Sequence, residues 1–214
     1  MTMRRAERSV GAIAALGAAL ALALAPQAAA AADDCDAQVA DAFAKQRASS
    51  AFRMKTTMID HRGVVHMTVD YQLPDRMHQT VKAVTEPAAT ETILVGTRAW
   101  VSTGAGQWQA LPVEDAEDIA KQVREAVVEA PKAPPKYRCL GATQVEGRAL
   151  TGFEAIPEKN APSGGPVTNL YVDPTTGLPA RTTVAAQSRR DRPFFKQDFS
   201  YPQDIKVEPP EQAK

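Results

Sequence analysis

Between residues 51 and 83 the chain alternates apolar and polar positions with a period of two. Three such runs, at about 51–59, 65–71 and 77–83, are separated by short turn-like segments. The alternation is typical of antiparallel strands that bury one face. The apolar side chains that share this face are Phe52, Met54, Met58, Val65, Met67, Val69, Tyr71 and Met77.

The turns predict how these strands pair. A turn centred on residues 61–62 places Met54 opposite Val69, and a three-residue loop at 72–74 places Val69 opposite Met77. Both pairings set apolar residues beside apolar residues, as a sheet with one buried face requires. The sequence therefore predicts a cross-strand row of Met54, Val69 and Met77.

Two segments have a helical period instead. Residues 33–46 form a short helix that Asp33 or Asp34 can cap. Residues 113–130 carry Ile119, Val123 and Val127 in one stripe, which indicates an amphipathic helix. Further strands are predicted at about 91–96, 98–102, 137–145, 148–156, 167–172, 180–186 and 194–201.

These elements predict a mainly β protein of the α+β class. A long antiparallel meander must protect its edge strands by closing or by curling around other elements. We expect nine or ten strands to form a curled sheet, a half-open β-barrel. One N-terminal helix and one central helix lie on its concave side.

The first 32 residues have the features of a secretory signal peptide. Arg4, Arg5 and Arg8 form a basic start, the run 11–26 is apolar, and small residues follow. An uncleaved membrane anchor is the alternative, although this run is shorter than the roughly 20 residues that a spanning helix needs. We predict a protein that is periplasmic or secreted after cleavage.

A lipoprotein signal at Cys35 is a third interpretation, but Asp33 and Asp34 stand where such sites need small or apolar residues. The remaining chain is predicted to form one domain, 33–207, followed by a disordered tail, 208–214. Its length suits a single hydrophobic core.

Charge and motifs narrow the function. The chain is formally neutral, and removing residues 1–32 takes away three arginines and one glutamate, which leaves about −2. Nucleic-acid binding usually requires a basic surface, so no nucleic-acid partner is expected. The sequence contains no nucleophile elbow, zinc-protease motif, phosphate loop or dinucleotide fingerprint. We expect neither catalysis nor a cofactor.

Three smaller groups of residues have two interpretations each. Cys35 and Cys139 form one disulfide in an oxidising compartment, or remain free thiols or metal ligands. His66 and His78 are predicted one diagonal step apart on the polar face, where they are solvated side chains or a two-histidine metal site. Residues 189–192 (RRDR) form an exposed turn, or touch anionic headgroups or a partner protein.

Several segments together resemble the outer-membrane lipoprotein carrier family (LolA-type). They are YQLPDRMHQTV, then ETILVGTRAWVSTGAGQW, and near the end VDPTTGLPARTTV and DFSYPQDIKVEPP. The resemblance covers most of the mature chain. It implies an unclosed β-barrel with a helical lid over an apolar cavity for acyl chains. The family's arginine before the motif's proline is Leu73 here, and Arg53 and Arg76 are the candidates to replace it.

The apolar face therefore has two interpretations. It packs only against the central helix, or it also contacts acyl chains, for which adaptable methionine side chains are well suited. In the second case the ligand-binding residues are the eight apolar residues named above and Trp100. The predicted function is carriage of a lipid or lipidated protein by a monomer. The alternative is an envelope sensor or interaction module with a filled core and a protein partner.

Overall fold

The computed structural model describes residues 34–104, 106–158 and 164–211. The predicted signal peptide lies outside the described residues, as do the last three residues of the predicted tail. The single-domain boundaries therefore remain a prediction.

Two helices and eleven strands make up the described chain. Helix α1 spans Cys35–Ala48, and helix α2 spans Val113–Val123 and continues as a π-helical segment over Arg124–Val128. The strands are β1 (Ala51–Asp60), β2 (Gly63–Gln72), β3 (Arg76–Ala83), β4 (Thr90–Val95), β5 (Arg98–Ser102), β6 (Gln109–Ala110), β7 (Lys136–Val145), β8 (Arg148–Ile156), β9 (Val167–Val172), β10 (Pro179–Ala185) and β11 (Phe195–Ser200).

All eleven strands belong to one antiparallel sheet in the order β6-β5-β4-β3-β2-β1-β11-β10-β9-β8-β7. The pairing of β1 with β11 joins the two halves of the chain. Strands β6 and β7 are the two edges and do not pair with each other, so the curled sheet stays unclosed. The predicted α+β half-open barrel is confirmed, with β6 as an additional short strand.

Both helices cover the same face of the sheet, which we call the helix face; the opposite one is the outer face. Helix α2 packs on β1 to β5, where Phe52, Val69 and Leu94 are fully buried. Helix α1 packs on the other half, against Phe153 and Leu170. Asp34 caps α1, because its Oδ1 accepts the Ala37 N–H at 3.0 Å.

Candidate functional site

The helix face of β1 and β2 has the predicted register. Met54 lies opposite Val69, and Phe52 lies opposite Tyr71 with ring centroids 5.0 Å apart. Alternation places these side chains on one face. Burial raises the pKa of Tyr71 to about 12, so its phenol stays neutral at physiological pH.

The predicted register of β2 with β3 is wrong by two residues. Met77 lies opposite Tyr71, and Val69 lies opposite Gln79. Strand β2 runs on to Gln72, which pairs with Arg76 and accepts the Val207 N–H through its side chain, so the loop is 73–75 rather than 72–74. The row of Met54, Val69 and Met77 therefore does not form. All three residues still share the helix face.

Helix α2 fills the space above this part of the face. Ala116 and Val123 are buried against the sheet, and Ile119 and Val127 pack beside them. Side chains in close contact leave little room for a ligand between α2 and the fully buried Phe52 and Val69. This part of the predicted binding face is hydrophobic core.

The helix face continues beyond the area that the helices cover. Met58 pairs with Val65 on one side and with Phe195 on the other, and Val81 lies opposite Met67. Val65 is buried, whereas the other four side chains are half-buried. Met58, Phe195 and Val81 do not belong to the clusters packed against either helix. Apolar surface therefore remains accessible next to the covered core.

At least three clefts adjoin the π-helical segment. The first, of about 270 Å³, is lined by Leu94, Arg124 and Val128. Two others share one lining residue. One, of about 250 Å³, lies between Tyr71 and Met77 on the sheet and Ile119 and Val123 on α2. The other, of about 390 Å³, lies between α1 and the segment. Its apolar lining is Val39, Ala40, Phe43, Ala126, Ala130, Pro131, Pro134, Pro135 and Tyr137. Ala126, an exposed residue of the π-helical segment, lines both of these clefts.

Sequence reasoning did not assign the larger cleft. Val39 and Phe43 show helical i, i+4 spacing in the sequence, which places them on one face of α1. Their partner surface, the proline-rich connection at 131–135, follows the central helix and carries no periodic pattern. Only the tertiary fold brings α1 opposite this connection.

Contacts at the start of β7 fix one rim of the larger cleft. Cys35 and Cys139 form the predicted disulfide, with Cα atoms 5.4 Å apart. Asp36 accepts hydrogen bonds from the Lys136 ammonium at 2.8 Å and from the Tyr137 N–H at 2.6 Å. These donors hold the pKa of Asp36 below its usual range, because they favour the charged carboxylate. The rim is therefore held by one covalent and two polar links.

Trp100 does not line the same space as the other predicted ligand-binding residues. Register places it on the outer face, opposite Ile93, where Val207 of the C-terminal segment covers it. Val207 is 2% exposed, and its carbonyl accepts a hydrogen bond from Arg76 at 2.9 Å. Trp100 is thus a core residue of the outer face, and the prediction that groups it with the methionine face is wrong.

The two histidines are farther apart than predicted, because the β2–β3 register moves His78 by two residues. His78 lies opposite Asp70 and contacts Glu91 at 2.9 Å, whereas His66 lies opposite Lys82. The predicted diagonal step is therefore wrong. Among residues 34–104, 106–158 and 164–211, no three metal-binding side chains come together.

The two arginines that could replace the family's missing arginine lie on the outer face. Arg53 holds Asp70 through two hydrogen bonds of 2.5 and 2.7 Å. Arg76 is bound to the C-terminal segment as described above. Both arginines therefore bind residues on the outer face, whereas the Leu73 side chain packs against the core under α2.

Comparison with solved structures identifies the fold. The lipoprotein LppX of Mycobacterium tuberculosis is similar at 12% identity and a TM-score of 0.56, over 81% of this chain and 98% of that one. LprF of Mycobacterium bovis is similar at 14% identity and a TM-score of 0.51, over 82% and 97%. The predicted LolA-like fold is confirmed. At these identities the similarity concerns the fold alone.

A LolA superfamily protein, NE2245 of Nitrosomonas europaea, also matches, with 13% identity and a TM-score of 0.30 over 81% of this chain and 95% of that one. No family model and no curated protein matches the sequence. In the described part of the chain, no helix has the length and apolar character to cross a membrane.

Proposed function

We propose that this protein binds the acyl part of a lipid or of a lipidated protein, as a monomeric carrier or chaperone in the periplasm. The observation that carries the proposal is the pair of clefts that share Ala126 and are lined mostly by apolar side chains. The larger has about 390 Å³, within the roughly 300–1,000 Å³ typical of ligand pockets. Nine of its fourteen lining residues are aliphatic, aromatic or proline, the kind of surface that an acyl chain contacts, and the other five are the charged residues Asp36, Arg47, Glu125, Glu129 and Lys136.

The half-buried part of the helix face supports the same proposal. Met58, Met67 and Phe195 present adaptable or aromatic side chains next to the covered core, and methionine suits ligands of varying shape. The ligand-binding residues of the proposal are these and the cleft residues around Ala126. Phe52 and Val69 belong to the hydrophobic core on which the proposed site lies.

The disulfide and the predicted signal peptide support the proposed compartment. Disulfides form and persist in oxidising compartments, and Cys35 is joined to Cys139 in this structure. Export by the segment 1–32 would place the domain in such a compartment. The proposal includes no catalytic step and no cofactor.

A titration with the fluorescent fatty acid cis-parinaric acid tests the proposal. The protein is exported to the periplasm of a bacterial host, purified and delipidated before the titration. A saturable rise in fluorescence that unlabelled palmitate reverses is the expected result. A signal no larger than that of an unrelated periplasmic protein would contradict acyl binding.

A second candidate function is an envelope sensor or protein-interaction module with a filled core. The full burial of Phe52, Val69 and Leu94 beneath α2 favours it, because that part of the fold has no room for a ligand. Under this alternative the titration gives no saturable signal. A partner protein is then recovered from envelope extracts by a crosslinker placed at the clefts.

A further inference from the structure

A row of apolar side chains crosses the outer face at the end of the sheet where β1 stops and β2 begins. Ile59 pairs with Val64. The Ile59 N–H donates to the Phe194 carbonyl at 3.1 Å, and the Val84 N–H donates to the Val64 carbonyl at 2.9 Å. Phe194, Ile59, Val64 and Val84 therefore stand side by side at the ends of four neighbouring strands. We call them the apolar rim.

The apolar rim points away from both helices. Successive residues of a strand face opposite sides of a sheet, and Met58 lies on the helix face, so Ile59 lies on the outer face. The exposed fractions are 61% for Ile59, 60% for Val84 and 42% for Phe194. Within the described part of the chain, these three side chains are exposed rather than covered by another element.

The same row continues across the other half of the sheet. Ala185, which lies opposite Val167, and Val167 itself are buried. Extending the register of β8 with β9 by two residues places Ile156, which is 49% exposed, beside Val167. Of the six large apolar side chains that are exposed in the described residues, four thus lie in one row, and three of them, Phe194, Ile59 and Val84, are neighbours in the apolar rim. Single exposed apolar residues are common, but a contiguous set marks a contact surface.

Basic residues stand immediately behind and beside the apolar rim. The neighbouring cross-strand row of the outer face contains Lys196 on β11, His66 on β2 and Lys82 on β3. Each of these residues is two positions away from the rim residue of its own strand. The turn between β10 and β11 adds exposed arginines directly before Phe194: Arg189, Arg190 and Arg192. Lys82 and Arg189 make no ion pair within the described part of the chain.

Acidic residues at this end are already paired with arginines. Asp60 and Glu86 both contact Arg62, at 2.9 and 3.3 Å. Glu154 is buried between Arg138 and Arg190. Asp191 of the turn contacts Arg192 at 3.7 Å, and Glu146 contacts Lys196 at 3.4 Å. Lys82 and Arg189 have no acidic partner among the described residues, so the charge available to attract a partner is positive.

We propose that the apolar rim and its basic neighbours form a docking surface for an anionic lipid bilayer. The exposed side chains of Ile59, Val84 and Phe194 enter the boundary between headgroups and acyl chains. Lys82, Arg189 and Arg192 contact the lipid phosphates, as cations near an anionic membrane do. The positive charge disfavours a second copy as the occupant, because a two-fold interface would bring like charges together. The surface lies on the face opposite the clefts, so the inference does not depend on acyl binding.

Vesicle co-sedimentation tests this inference. The exported protein, with its N-terminus verified by mass spectrometry, is mixed with vesicles of phosphatidylcholine alone or with added phosphatidylglycerol. We expect binding to the anionic vesicles that weakens in high salt. The triple variant I59S/V84S/F194S should bind at least about tenfold more weakly. In K82Q/R189Q/R192Q each lost cation should weaken binding about fivefold.

The matched control is V113S/L140S, which removes two exposed apolar side chains far from the rim (69% and 44% exposed) and should bind like the parent. Urea unfolding of every variant checks that the fold is intact. Equal binding to neutral and anionic vesicles, no binding by the parent, or unchanged binding by I59S/V84S/F194S would overturn the inference. If the parent protein forms a dimer that I59S/V84S/F194S dissociates, and does not bind vesicles, the rim is a surface for self-association instead.

Discussion

Gln46, in the last turn of α1, donates a hydrogen bond from Nε2 to the phenol oxygen of Tyr201 at 3.2 Å, at the point where α1 meets the sheet. Tyr201 donates in turn to the Pro179 carbonyl at 2.9 Å. Gln46 and Pro179 are buried, and burial also raises the pKa of Tyr201. This chain of bonds joins one wall of the larger cleft to two strands of the sheet.

Replacing Tyr201 with phenylalanine should lower the free energy of unfolding by about 1–3 kcal/mol, because a buried carbonyl and a buried amide lose their partner. Urea unfolding measures the change. Tyr171→Phe is the matched control, since Tyr171 lies half-exposed on the outer face and its hydroxyl has no hydrogen bond among the described residues. Equal losses in the two variants would show that the Gln46–Tyr201 contact has no special role.

Removing the disulfide should destabilise the domain. Cys35 and Cys139 are 104 residues apart, and in the chain-entropy model a loop of that length contributes about 4–5 kcal/mol, an upper value for real proteins. C35S/C139S should therefore unfold at lower urea concentration than the oxidised parent. Reducing agent should shift the parent to the same midpoint and leave the variant unchanged. A variant as stable as the oxidised parent would contradict the anchoring role of this bond.

The contacts of Asp36 predict a pH dependence. Hydrogen bonds from Lys136 and from the Tyr137 N–H lower the pKa of this carboxyl in the folded state. The stabilisation that these hydrogen bonds give is fully present at a pH above the pKa of the unfolded carboxyl, about 3.9. It is lost as the pH falls through the lower pKa of the folded state. The difference in unfolding free energy between the parent and D36N should shrink below about pH 4. A difference that stays constant down to pH 2 or so would contradict this assignment.

Ala126 offers a way to block both clefts with one substitution. Ala126→Trp should place an indole in the space that Phe43 and Tyr137 line, and reduce the affinity for cis-parinaric acid at least about tenfold. Ala44→Trp is the matched control, because Ala44 is an exposed helical alanine of α1 outside both clefts. If Ala126→Trp keeps its fold and binds cis-parinaric acid as tightly as the parent, the acyl site does not lie in these clefts.

Local patterns determined most of the fold but less of the site. Alternation in 51–72 predicted the pairing of Met54 with Val69, because a short turn fixes the register of a hairpin. The β2–β3 register depended on whether Gln72 belongs to the strand or to the turn, and its contact with the distant Val207 is a tertiary property that no local pattern reveals. The outer-face position of Trp100 followed from three successive registers and from Val207, 107 positions further along the chain.

The clefts could not be predicted from any single segment. Each combines an element with helical period and an element that has none, such as α1 with the prolines at 131–135. The apolar rim has the same origin. Ile59, Val84 and Phe194 are each an ordinary strand end in the sequence, and only the order β11-β1-β2-β3 brings them together.

Native mass spectrometry of the protein exported to the periplasm tests the central claim, acyl binding beside the π-helical segment, most directly. The account predicts the domain mass together with adducts of lipid mass that solvent extraction removes and added fatty acid restores. In Ala126→Trp these adducts should be largely lost, and in Ala44→Trp they should remain. A single unliganded mass for the parent, unchanged after incubation with fatty acid, would contradict the account.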